Sequence, residues 1–119
     1  MEEIVQGLSV ISNAVTLSNN ITAVVARIKS KRIYARAELV FLRDQTQKLL
    51  MEARSRHEGE IVRTNLEEIA KTVDLINVLE SQGRLTGRAS DMATQHLEDL
   101  NAKLRKNLDD FGSSGIGRC

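Results

Sequence analysis

Apolar residues recur with a helical period along most of this chain. In its last third, Ala89, Ala93, Leu97, Leu100, Leu104, Leu108 and Phe111 step by four, four, three, four, four and three. That spacing averages close to the turn of an α-helix and puts all seven on one face, with Glu98, Asp99, Lys103, Arg105 and Lys106 filling the other. Thr86 or Ser90 is the expected N-cap, Asp91 suits the positive end of the helix, and Gly112 is the expected stop. Val62, Leu66, Ile69, Val73, Ile76 and Leu79 draw a second stripe that Gly83 should close. The short stretch from Gly83 to Gly87 then makes the two helices antiparallel neighbours. A third helix is predicted over about 31–57, with Leu39, Leu42, Leu49, Leu50 and Ala53 facing inward. A break is expected near Gly59, although one glycine costs only about 1 kcal/mol inside a helix.

The first segment differs. Between Glu3 and Arg27 there is no charged residue. Ile4, Val5, Leu8, Val10, Ile11, Val15, Leu17, Ile21, Val24 and Val25 alternate there with serine, threonine, asparagine and glutamine. A helix over 4–26 is expected, but one lacking the charged face that an ordinary surface helix carries. The run Ser18-Asn19-Asn20 favours turns, so two shorter helices are the alternative, with Asn20 capping the second.

Three environments suit such a helix. A membrane span is disfavoured: ten aliphatic residues at roughly −0.3 to −0.6 kcal/mol each gain a few kcal/mol, which a similar number of polar residues offsets. The second is a membrane surface, with Arg27, Lys29, Lys31 and Arg32 as an anionic-lipid anchor. The third, preferred here, is burial against copies of the same chain or another helical protein. Small side chains then allow close approach, and asparagine amides set the register. The residues expected to carry self-association are Ile4, Leu8, Ile11, Val15, Ile21 and Val24, with Asn13 and Asn20 as polar markers and Asn19 aiding register.

Composition narrows the rest. The 119 residues fit one domain, 1–111, followed by a Gly/Ser tail, 112–119, expected to be flexible. Proline is absent, and the aromatics are Tyr34, Phe41 and Phe111, so the core is built from Leu, Ile, Val and Ala. The expected fold is all-α: a bundle of three or four long helices with coiled-coil-like packing and an antiparallel hairpin in the C-terminal half. A net charge of +1 does not suit a protein that coats nucleic acid, and the basic run has no aromatic platform beyond Tyr34. A single cysteine, Cys119, and the acidic start Glu2-Glu3 point to a cytoplasmic chain without a secretory signal.

Catalytic chemistry finds no footing. His57 and His96 are the only histidines, and neither has a Cys or His at metal-ligand spacing. The stretch Gly83–Arg88 lacks the Gly-Lys-Ser/Thr of a phosphate loop and the strand that precedes one. Carboxylates alternate with Lys and Arg as solvated pairs. No cofactor and no metal are expected. The function predicted is a non-enzymatic interaction or assembly module that self-associates through the uncharged helix. The alternatives are a membrane-surface adaptor and, more weakly, a nucleic-acid-binding protein.

Overall fold

The computed structural model describes the backbone of residues 2–31 and 34–115 and, within it, the side chains of all but 2–9, 58 and 111–115. Four long α-helices follow one another: α1 (Glu2–Lys31), α2 (Arg36–Ser55), α3 (Glu60–Ser81) and α4 (Gly87–Gly115). A single 3₁₀ turn, His57–Gly59, joins α2 to α3. No strand occurs among the described residues. The all-α bundle expected from the stripes is what forms, with four helices.

Connections of a few residues force successive helices antiparallel. Cross-helix contacts fix the ring. Asn20 on α1 meets Gln45 on α2, Arg54 on α2 meets Glu67 on α3, Asn65 on α3 meets Asn107 on α4, and Ser18 on α1 meets Asn101 on α4. Each helix therefore touches its two neighbours around a shared core. At about 1.5 Å per residue the 30 residues of α1 span roughly 45 Å, matching the longest dimension of 48 Å.

The inward stripes hold. Leu39, Leu42, Leu49, Leu50 and Ala53 on α2, Val62, Leu66, Ile69, Val73 and Ile76 on α3, and Leu97, Leu100, Leu104 and Leu108 on α4 are all buried. Leu79 and Ala93 pack on the core from its edge, whereas Ala89, the first residue of the α4 stripe, is exposed because the helix has only just begun there. The side chain of Phe111 lies outside those described.

Local chemistry accounts for the ends. Gly83, at φ +69°, occupies the left-handed conformation that closes α3. The Arg84 amide then bonds the Leu79 carbonyl at 2.8 Å and the Gly83 amide the Glu80 carbonyl at 3.0 Å, which satisfies carbonyls that the helix end would otherwise orphan. The expected break at Gly59 is present and has a steric reason. A Cβ there would lie 2.2 Å from the carbonyl oxygen of Ala53, so only glycine lets the chain fold back this tightly.

Three boundaries depart from expectation. α2, expected over about 31–57, runs Arg36–Ser55, because α1 continues to Lys31 and takes up the start of that range. Gly112 does not stop α4, which continues through Gly115, so only residues 116–119 of the expected tail fall outside the described chain. And α1 is one unbroken helix through Ser18-Asn19-Asn20, extended beyond residue 26 to Lys31. The turn-forming tendency of that run loses because all three side chains are engaged across to neighbouring helices.

Candidate interaction surface

α1 has an inner face and an outer face of opposite kinds. Val10, Ala14, Leu17, Ile21, Val24, Val25 and Ile28 are buried and form its share of the core. Fully burying one Leu, Ile or Val contributes about 1.5–3 kcal/mol. The cover that this apolar face requires is therefore supplied by α2 and α4 of the same chain. For Ile21 and Val24 this is a correction: they are core residues and cannot reach a second copy.

The polar residues beside that face bind the bundle together. The Ser18 hydroxyl, fully buried, donates to Asn101 Oδ1 at 2.8 Å, and Asn101 Nδ2 donates to Thr22 Oγ1 at 3.0 Å. The Arg105 guanidinium, reaching over from α4, donates to Asn19 Oδ1 at 2.9 Å and to Ser18 Oγ at 3.3 Å. On the other flank Asn20 donates to Gln45 at 3.1 Å. Asn19 and Asn20, expected to set register between copies, each make a hydrogen bond within the chain, and Asn19 remains exposed. A buried hydroxyl or amide left without such partners would cost about 1–3 kcal/mol, so these bonds make the helix interface specific as well as stable.

The outer face is solvent-exposed and still uncharged. Ser12, Thr16, Asn19, Ala23 and Ala26 are exposed and step by four, three, four and three, one straight stripe. Val15, 41% exposed, lies beside it. Asn13 is exposed, and Ile11 packs halfway into the core. The side chains of Ile4 and Leu8 lie outside those described. Other large apolar side chains on the surface are spread over three helices: Phe41 and Met51 on α2, Ile61, Leu75 and Val78 on α3, and Met92 on α4.

The basic run is partly stitched into the bundle. Arg27 pairs with Glu38 on α2, and Lys29 with Glu98 on α4 at 2.6 Å. Lys31 is exposed, and Arg32 lies outside the described residues. Such exposed pairs contribute about 0–1 kcal/mol each, so they orient more than they stabilise. Sequence reasoning missed the clamp beside them. The Tyr34 hydroxyl donates to the Ser90 carbonyl at 2.9 Å, accepts from the Ser90 hydroxyl at 2.7 Å and contacts Thr94, pinning the α1–α2 connection to α4. Thr94, buried on α4 beside Ala93, completes the clamp, and nothing in the local pattern marks it.

His57 and His96 are exposed, on the 3₁₀ turn and on α4. Among the described residues no three His, Cys, Asp or Glu side chains come close enough to hold a metal ion. An open groove of about 350 Å³ between α2 and α3 is lined mainly by charged and polar groups, including the Arg54–Glu67 pair at 3.2 Å, Lys71 and Asp74. No described helix is long and apolar enough to cross a membrane. Neither family models, nor curated proteins, nor solved structures yield a match to this chain.

Proposed function

We propose that this chain is a non-enzymatic interaction module of the cytoplasm that associates with copies of itself through the outer face of α1. The observation that carries this reading is that α1 contributes no charged side chain to an exposed stripe four turns long, where the Arg105 guanidinium of α4 reaches in to Asn19. The exposed surfaces of the other helices are ionic: Asp44 and Lys48 on α2, Arg63, Glu68 and Lys71 on α3, and Asp99, Lys103 and Lys106 on α4. Removing an ion from water is costly unless it is paired, whereas Ser, Thr and Ala side chains give up little hydration. Their size also favours the near end of the 8–10 Å range over which two helix axes pack.

The pairing is coiled-coil-like, because the four-three spacing of Ser12, Thr16, Asn19, Ala23 and Ala26 is that of a heptad seam. Val15 adds apolar contact at the edge, and Thr16 and Asn13 supply hydrogen-bonding groups. The lone Cys119 suits a reducing compartment.

Ala23→Asp tests the reading, since it places a charge on the stripe without touching the core. Light scattering should give an oligomeric mass for the native chain and the monomer mass for the variant. A native chain that is monomeric at high micromolar concentration, or a variant whose mass is unchanged, contradicts the proposal.

A further inference from the structure

Two basic stretches far apart in sequence meet at one end of the bundle. α1 ends at Lys31 and α2 begins at Arg36, while α3 ends at Ser81 and α4 begins at Gly87. The Tyr34–Ser90 hydrogen bonds and the Arg36–Glu80 pair at 3.7 Å hold these two connections side by side. Segments 27–38 and 80–91 together carry seven Lys or Arg and three Asp or Glu, a net charge of +4 in a chain whose total is +1. The remainder of the molecule is therefore at −3, and the bundle is electrically polarised along its length.

The acidic residues of this end are engaged: Glu38 pairs with Arg27 and Glu80 with Arg36, and Asp91 too has a partner. Lys31, Arg84 and Arg88 are exposed, and among the described residues none has a carboxylate within ion-pair distance. Neither stretch reveals this alone. The first reads as a solvated helix end and the second as an interhelical turn.

We propose that this blunt end, through Lys31, Arg84 and Arg88, docks on the surface of an anionic lipid bilayer. Across its long axis the bundle is about 24 × 19 Å, so the cations of one end lie within that width of one another. Clustered Lys and Arg beside an anionic leaflet are drawn to it within a Debye length. Nucleic acid fits less well. Readers of nucleic acid insert a helix or ribbon into a groove or stack bases on aromatic rings. The aromatic at this end, Tyr34, has its ring packed against the core and its hydroxyl bound to Ser90. Nor does the apolar face of α1 enter the membrane, because it is buried in the bundle. Contact is electrostatic, and it stands or falls independently of the assembly through α1.

Co-sedimentation of the full chain with phosphatidylcholine vesicles, with and without roughly a third phosphatidylserine, tests it. The chain should sediment with the anionic vesicles alone, and less as salt rises. Replacing Arg84→Gln with Arg88→Gln should weaken partitioning on the order of tenfold. The variant Lys103→Gln with Lys106→Gln, which removes the same charge farther along α4, away from this end, should change it by less than about twofold. Both variants should keep the native circular dichroism and the native mass by light scattering, which separates this outcome from that of the assembly test. Absence of binding to anionic vesicles, equal loss in the two variants, or tip-dependent binding to duplex DNA tighter than to vesicles at the same salt would each overturn it.

Discussion

α1 and α3 are alike on the inside and unlike on the outside. Each buries a Leu/Ile/Val stripe in the same core, Leu17 and Ile21 on α1 meeting the same standard of burial as Leu66 and Ile69 on α3. Outward, α3 presents Arg63, Glu68, Lys71 and Asp74, and α1 presents Ser12, Thr16, Asn19, Ala23 and Ala26. A charged exterior keeps a helix apart from its own copies. A small, neutral one removes that barrier. The fold requires the two inner faces but not the difference between the outer ones, and that difference is the strongest pointer to an interaction role.

The largest effects are expected on the inner faces. Ile21→Ala and Ile69→Ala should each lower stability by about 2–5 kcal/mol, as for other large-to-small changes in a filled core. Urea unfolding should show similar midpoint shifts, since both residues are fully buried. Val24→Asp should unfold the chain outright and so is no test of assembly, whereas Val15→Asp should leave the fold intact.

Gly59→Ala comes next. The added methyl meets the Ala53 backbone, which cannot swing away as a flexible side chain could. A loss of about 1–3 kcal/mol is expected from such overpacking. It should appear in thermal melts as a lower midpoint, and a melt unchanged from native would mean the α2–α3 corner is looser than described.

Asn101→Ala probes the polar contacts that tie α1 to α4. The substitution removes the acceptor of the buried Ser18 O–H, leaving that oxygen only the Arg105 donor, and removes a donor to Thr22. It should cost about 1–3 kcal/mol. Native-state hydrogen exchange should then quicken in α1 and α4 before α2 and α3. Uniform quickening would show the network to be no more local than the rest of the core.

The smallest effect on stability is expected outside. Ala23→Lys on α1 and Lys71→Ala on α3 both lie in the exposed set and should each change stability by less than about 0.5 kcal/mol. Only Ala23→Lys should alter the mass in solution.

Much of this architecture is legible from periodicity. The stripes of α2, α3 and α4 identify their buried residues, and the glycines at 59 and 83 mark the corners, because sterics leave those positions little choice. α1 is harder to read. Its lack of charge announces that it is unusual, but an uncharged stripe looks the same whether its cover comes from the same chain or from another. Ile21 and Val24, which the pattern points to as self-association residues, lie in the core, while Ser12, Thr16, Ala23 and Ala26 face solvent. The partners that decide this, Asn101, Arg105 and Gln45, lie from 25 to 87 residues away along the chain, beyond the reach of local pattern. The basic end is illegible for the same reason, since Lys31 and Arg84 come to the same end of the bundle only when the ring closes.

Disulfide trapping along the stripe tests the central claim most directly. In a Cys119→Ser background, single cysteines at Ser12, Thr16, Asn19, Ala23 and Ala26 are oxidised and compared with cysteines at Thr64 and Lys71 on the exposed side of α3. A bond between copies needs the paired Cα atoms within about 7 Å, so only a genuine helix–helix contact permits it efficiently. Rapid dimer formation is expected at one or more α1 positions, centred on Asn19 if the pair is antiparallel, with slow formation at the α3 sites. Crosslinking that is equally slow at both, or faster on α3, would contradict an assembly built on the outer face of α1.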